Sequence, residues 1–345
     1  MKATQDLWRI TLDTNPEDCN LRCVMCEEHS PHSDFIEQLY QKTGIRRRRM
    51  PFKVVEKIFE EASELGVKEI IPSTMGEPLI YKDFDRILEL CHQYDIRCNI
   101  TTNGTFPKRS AKNWAERIVP VTSDIKLSWN GATKETSEKV MLELDFEKAV
   151  QNTKDFIEVR DRHFRETGYY CRVTFQLTFM QHNMHELGEI VKLAAELGVD
   201  RVKGHQLWAH FEEIKQLSFR ESQSSIIQWN SYVDEAYEAR DCHRKPNGKK
   251  VLLEQITKLQ ADETAEVPEE YACPFWGKEV WVSPTGKISP CCAPDEQRKT
   301  LGDFGNIKNQ RIEDAMASDA YQYLLQNYKS IPLCKTCNMR KPIDS

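Results

Sequence analysis

The chain has 345 residues, 39% hydrophobic and 30% charged, with 14 Gly and 15 Pro. That length suits about two domains, and the balance excludes long disordered stretches, while a formal net charge of -6 leaves no general nucleic-acid footprint. No apolar signal segment opens the sequence and no run approaches the length of a membrane span, so a cytoplasmic protein without membrane contact is expected.

Residues 1–210 alternate between β-branched runs and 3.6-period amphipathic stretches, the pattern of repeated βα units. Leu7 to Leu12 reads as a first strand, followed by a polar, cysteine-bearing loop. Pro51 stands at a helix N1 position ahead of the stripe Val54, Val55, Ile58, Phe59, Ala62 and Leu65, ended by Gly66. Val67 to Ile71 is the second strand. Asp83 can cap a helix carrying Phe84, Ile87, Leu88 and Cys91, and strands three and four run from Ile96 to Thr101 and from Ile125 to Trp129. A helix bearing Phe146, Ala149, Val150, Thr153 and Ile157 precedes strand five at Cys171 to Phe179. Asn183 and Gly198 bracket the next helix, and Arg201 to Leu207 is strand six. Six units predict an α/β fold, a partial (β/α)6 barrel with its chemistry at the carboxyl ends of the strands. Residues 211–270 read as a helical bridge and an acidic linker, since 261–270 hold five acids and no base. Residues 271–345 form a cysteine-rich tail with a hairpin over Glu279 to Ser289 that turns at Ser283-Pro284-Thr285-Gly286.

Twelve cysteines are the outlier of the composition, and in a reducing compartment clustered thiols hold metal or do chemistry rather than form bridges. Cys19, Cys23 and Cys26 have the spacing C-x3-C-x2-C in the loop after strand one. Three thiolates on one short loop can hold three corners of a 4Fe-4S cubane and leave one iron open. A zinc knuckle would take four ligands, and only His29 and His32 stand nearby. Ser73-Thr74-Met75-Gly76-Glu77-Pro78 follows strand two, Thr101-Thr102-Asn103-Gly104 closes strand three, and Ser128-Trp129-Asn130-Gly131 closes strand four.

In that order these segments resemble the radical S-adenosylmethionine (SAM) superfamily. The resemblance implies SAM bound to the open iron and cleaved to a 5'-deoxyadenosyl radical, with electrons from a donor such as flavodoxin or ferredoxin. It implies SAM contacts from Gly76 and Glu77 with Thr74 as support, from Asn103, from Ser128 at the ribose, from Met25 near adenine and from Gln176 at the carboxylate. Met75 stands where relatives carry a first Gly, and Asn130 where they often carry Asp.

In the tail, Cys273-x12-Gly286-x4-Cys291 and Cys334-x2-Cys337 resemble the twitch domain, a shortened SPASM module, which implies a second, auxiliary 4Fe-4S cluster. Cys292 is an alternative to Cys291, and a four-cysteine zinc ribbon is the alternative to the cluster. Cys91, Cys98 and Cys171 read as small buried hydrophobes, whereas Cys242, beside His243 and Arg244, is a candidate hydrogen donor to a substrate radical. Arg46 to Arg49 can grip an anionic substrate or form a solvated loop. Twitch relatives modify peptides, protein side chains or small polar sugar-like molecules, so the expected activity is radical oxidation, epimerisation or crosslinking at an unactivated C–H bond. The competing reading is a zinc-bound regulatory or nucleic-acid-binding protein, which the acidic balance disfavours.

Overall fold

The computed structural model describes residues 7–73, 75–260, 267–293 and 295–342, so Thr74 and residues 261–266 of the expected acidic linker lie outside the described residues. The strands that place the site are β1 (Arg9–Leu12), β2 (Glu69–Ile71), β3 (Arg97–Thr102), β4 (Thr122–Ser128), β5 (Arg172–Phe179), β6 (Arg201–Gln206), β7 (Leu252–Glu254), β8 (Glu279–Val282) and β9 (Ile288–Ser289). Contacts gather them into two compact units that do not follow chain order.

The first unit joins residues up to 19, 35–100 and the tail from 267 onward. Its strands run in the order β9-β8-β1-β2-β3. Arg9 lies opposite Glu69 on one side and Glu279 on the other, both pairings parallel. Strand alternation therefore puts Ile10, Ile70, Cys98 and Val280, all fully buried, on one face and polar side chains on the other. On the polar face Arg9 bonds Glu69 at 2.7 Å, Thr11 donates to Glu279 at 2.6 Å and Asn99 donates to Glu69 at 3.0 Å. The expected tail hairpin is β8-β9, antiparallel, turning at Gly286 with φ 90°, a conformation that favours glycine. What spacing alone did not show is that β8 also pairs in parallel with β1.

The second unit holds residues 20–34 and the stretch from 101 to the linker, with strand order β4-β5-β6-β7 and parallel pairing throughout. Val173, Phe175, Leu177 and Phe179 are buried on one face of β5, and Trp129 stacks on Phe175 at 4.2 Å. The other face carries Thr174, Gln176 and Thr178 in register with Arg201, Lys203 and His205 of β6. Arg201 pairs there with Asp124, and with Glu254 at 2.7 Å. The expected helical bridge contains one long helix, Gln223–Cys242, but also β7, a correction to the helical reading of that stretch. Val251 to Leu253 is too short a run to declare a strand by periodicity; pairing of Leu252 with Arg201 fixes it. A second correction is the helix Phe35–Thr43 in the stretch read as loop. It has no buried residue, so its pattern carried little apolar signal. Pro51 is an N-cap rather than N1, and Asp83 stands at its N-cap without a side-chain capping bond.

Candidate functional site

In the first unit, the segment between β1 and Cys19 is buried although it is polar: Asp13, Thr14, Asn15, Glu17 and Asp18 are all below 9% exposure. Burial of so many polar groups requires partners, and each bond found is specific. Asn15 Nδ2 donates to the Glu77 carbonyl at 2.9 Å, and the Glu77 N–H donates to the Asp18 carbonyl at 2.8 Å. A Cβ on Gly76 would stand 2.0 Å from the Asn15 oxygen and 2.8 Å from that of Asp18. Glycine is thus the residue that lets the Gly76-Glu77-Pro78 turn lie edge to edge with the segment leading into Cys19. The Glu77 side chain is buried and accepts from the Leu79 N–H at 3.2 Å, capping the short turn Pro78–Ile80. Its carboxylate has a local structural task besides the one expected of it.

Each arginine of the run 46–49 has an acidic partner within the first unit. Arg48 Nε donates to Glu17 at 2.7 Å and its backbone N–H donates to the same carboxylate at 2.6 Å. Arg49 forks onto Asp18 at 2.7 and 3.2 Å, Arg47 lies 3.6 Å from Asp18, and Arg46 pairs with Glu37 at 2.7 Å. The run clamps the two acids that precede the first cysteine. Burial raises the Glu17 carboxyl above its ordinary range, and Arg48 opposes that rise. Removing Arg48 strands a buried carboxylate, so Arg48→Ala should lower unfolding stability by about 3 kcal/mol, measured by denaturant titration. A loss below about 0.5 kcal/mol would return the run to a solvated loop.

In the second unit, Cys23 and Cys26 share a turn closed by the Cys26 N–H on the Cys23 carbonyl at 3.0 Å. Arg22–Cys23 pairs with Met141–Leu142, which holds the turn from its other edge, and Met25 is half-buried within it. Asn103 Nδ2 donates to Asn20 at 2.9 Å and its Oδ1 accepts from the backbone and hydroxyl of Thr105 at 3.0 and 2.7 Å. This side chain ties down the start of the cysteine loop. Ser128 ends β4 opposite Gln176, which in turn lies opposite Lys203. Asn130 is buried and its Oδ1 accepts from the Thr178 N–H at 2.9 Å, a bond that an Asp would also make.

Sequence reading missed a row of rings in the segment after β6. Trp208, His210, Phe211 and His32 form a chain of rings, with centroids 6.4 Å apart for the first pair and 6.1 Å for each of the next two. Burial lowers the His205 and His210 imidazoles to about 4, so both are neutral at pH 7. The alternation Arg201-x-Lys203-x-His205 was the available signal. Cys242 ends the Gln223–Cys242 helix with an exposed side chain, whereas a hydrogen donor to a carbon radical needs a dry cavity.

The tail brings its thiols together within the first unit. Burial pushes Cys273 and Cys334 up to about 12, with Cys291 and Cys337 adding to the rise of each. Cys292 donates to Cys291, which raises Cys292 and lowers Cys291, and the Ala293 N–H reaches the Cys291 sulfur at 3.3 Å. All twelve cysteines are unbridged. Among the described residues no three His, Cys, Asp or Glu side chains converge at single-ion distance. A cubane spreads four thiolates over four separate irons, and buried thiols give up their protons to metal. Four cysteine thiols that influence one another in this way are a donor set that fits an iron–sulfur cluster. Cys91, Cys98 and Cys171 are buried, as expected of small hydrophobes.

Comparison with known proteins agrees with this arrangement. The profile of the radical SAM superfamily matches residues 16–194, and that of SPASM, an iron-sulfur cluster-binding domain, matches 273–338. The crystal structure of Streptococcus suis SuiB bound to S-adenosylmethionine is similar with a TM-score of 0.65 and 19% identity, over 97% of this chain and 72% of that one. Native anSMEcpe with bound AdoMet gives 0.64 and 14%, over 98% and 92%. The tRNA 4-demethylwyosine synthase TYW1 of Mus musculus is 29% identical over 133 residues, which is 39% of this chain and only 15% of that protein's length. Among the described residues no helix is long and apolar enough to cross a membrane. With a family match spanning more than half its length, the chain belongs to the radical SAM superfamily, whose cofactors are SAM and a 4Fe-4S cluster, and carries a SPASM-type iron-sulfur tail.

Proposed function

We propose that the enzyme removes a hydrogen atom from an unactivated C–H bond of a peptide, leading to oxidation, epimerisation or crosslinking. In this reading Cys19, Cys23 and Cys26 hold the SAM-binding cluster, and the SAM contacts come from Gly76 and Glu77 with Thr74 as support and from Met25, Asn103, Ser128 and Gln176. Cys273, Cys291, Cys334 and Cys337 hold one auxiliary cluster. Bound there, SAM and the clusters supply a 5'-deoxyadenosyl radical and an electron sink; the electrons come from a donor such as flavodoxin or ferredoxin.

The observation that carries the peptide reading is the ring wall from Trp208 to His32, which runs into the same segment as the Cys23–Cys26 turn. Such a wall suits apolar and aromatic side chains better than a bare polyol. Two similar structures hold peptides: SuiB bound to precursor peptide SuiA and anSMEcpe with Cp18Cys peptide. In the second unit, the neutral His205 and His210 leave this face without their own positive charge at pH 7.

The test uses anaerobically reconstituted full-length protein with SAM and dithionite. Peptide and small-molecule fractions from cells grown in heavy water are supplied separately. Deuterium is expected in 5'-deoxyadenosine only with the peptide fraction. Deuterium from the small-molecule fraction alone would replace the peptide by a small polar substrate, and no 5'-deoxyadenosine under any condition would remove the proposed activity.

A further inference from the structure

We propose that Arg340 is the buried counter-charge of the auxiliary cluster, a positioning residue that joins two of the three ligand-bearing segments of the tail and sets the cluster's potential. This rests on the reading of Cys273, Cys291, Cys334 and Cys337 as cluster ligands.

Among the described residues three arginines are buried: Arg160, Arg201 and Arg340. Burying a guanidinium away from water is costly unless an opposite charge faces it. Arg160 meets Asp200 at 2.7 Å, and Arg201 meets Asp124 together with Glu254 at 2.7 Å. Arg340 breaks the pattern. It is 4% exposed, and its bonds run to backbone carbonyls: Tyr271 at 2.9 Å, Pro268 at 2.8 Å, Glu269 at 2.9 Å and Cys334 at 3.2 Å. Neutral carbonyls satisfy its N–H groups without cancelling its charge.

The counter-charge that no described side chain supplies to Arg340 is present in the proposed ligand. A cubane held by four thiolates is anionic, and cluster potentials respond to nearby charge and hydrogen bonding. Arg340 is placed to feel it. Its own N–H donates to the Cys337 carbonyl at 3.1 Å, and its guanidinium reaches both the Cys334 carbonyl and the 268–271 segment that leads into Cys273. Arg298 makes a useful contrast: it also bears on Cys291, but Asp13 accepts from it at 3.1 Å. It therefore carries its own counter-ion, whereas among the described residues Arg340 has none.

The experiment uses the full chain with Cys19, Cys23 and Cys26 all changed to Ala, so that any remaining cluster belongs to the tail. Iron and zinc are counted after anaerobic reconstitution, and the midpoint potential is read by EPR-monitored titration. About four irons are expected in this parent; zinc instead, or no metal, would overturn the ligand reading itself. Given four irons, Arg340→Gln should shift the potential to more negative values, because a cation near the cluster stabilises its reduced, more anionic form. Arg340→Lys, which keeps the charge but not the fork, should lie closer to the parent. Equal potentials in all three proteins, or equal shifts in both variants, would overturn the counter-charge. If Arg340→Gln does not retain iron, retention by Arg340→Lys supports it, and equal loss from both argues for a staple in place of a charge.

Discussion

Cys23→Ala protein is expected to make no 5'-deoxyadenosine from SAM under dithionite, while keeping its fold. The iron count should fall from about eight to about four per chain, since three thiolates are the minimum that hold a cubane with one open iron. The fold should survive because Cys23 contributes to structure through its backbone, which pairs with Met141 and accepts from the Cys26 N–H. Its side chain is only half-buried, so its truncation costs about 1 kcal/mol or less. Metal analysis, chromatography of the nucleoside and a thermal melt on one preparation check all three points. Nucleoside formation at the parent rate would falsify the assignment of Cys23 to the catalytic cluster.

Gly76→Ala should be nearly as damaging by a different route. Its added methyl would meet the backbone oxygens of Asn15 and Asp18 at 2.0 and 2.8 Å, and backbone atoms cannot swing aside as a side-chain tip can. Either the turn or the segment ahead of Cys19 must move, breaking the Asn15–Glu77 and Glu77–Asp18 bonds at 2.9 and 2.8 Å. Overpacking of this kind costs about 3 kcal/mol, and SAM affinity should fall at least about tenfold. Denaturant unfolding and equilibrium binding of SAM measure the two effects. The contrast is Gly66, where φ is 71° but no atom lies within 4 Å of the added methyl: Gly66→Ala should cost about 1 kcal/mol and leave SAM binding intact. Equal SAM affinities in the two variants would show that crowding at Gly76 does not matter.

The barrel strands were legible because their patterns are local: β1 to β6 all fall within or beside the runs read from β-branched residues and breakers. The spacing of the three cysteines of the first loop and of Cys334 and Cys337 is equally local, being written in nearly consecutive residues, and it is what proposes them as cluster ligands. What could not be read is what depends on partners far away in the chain. β7 is declared by β6, and the parallel partner of β1 is contributed by β8. The arginine run looked like a solvated loop because its acids, Glu17 and Asp18, stand about thirty residues earlier. Asn103 and Glu77 were read as ligand contacts, yet their side chains also hold the loop and a turn, tasks that a motif does not display. Arg340 carried no motif at all; only its burial among carbonyls makes it visible.

The pairing of β8 with β1 has a consequence for how the protein is made. Arg9 and Glu279, in contact at 3.3 Å, stand 270 residues apart in the chain, so the second leaves the ribosome long after the first. Until the tail emerges, β1 has a neighbour on only one side, and an unpaired strand edge invites association with other chains. Truncation before residue 279 would leave that edge open for good. The tail is therefore a late structural strand of the first unit as well as a carrier of thiols, and its loss should appear as aggregation during synthesis before it appears as missing iron.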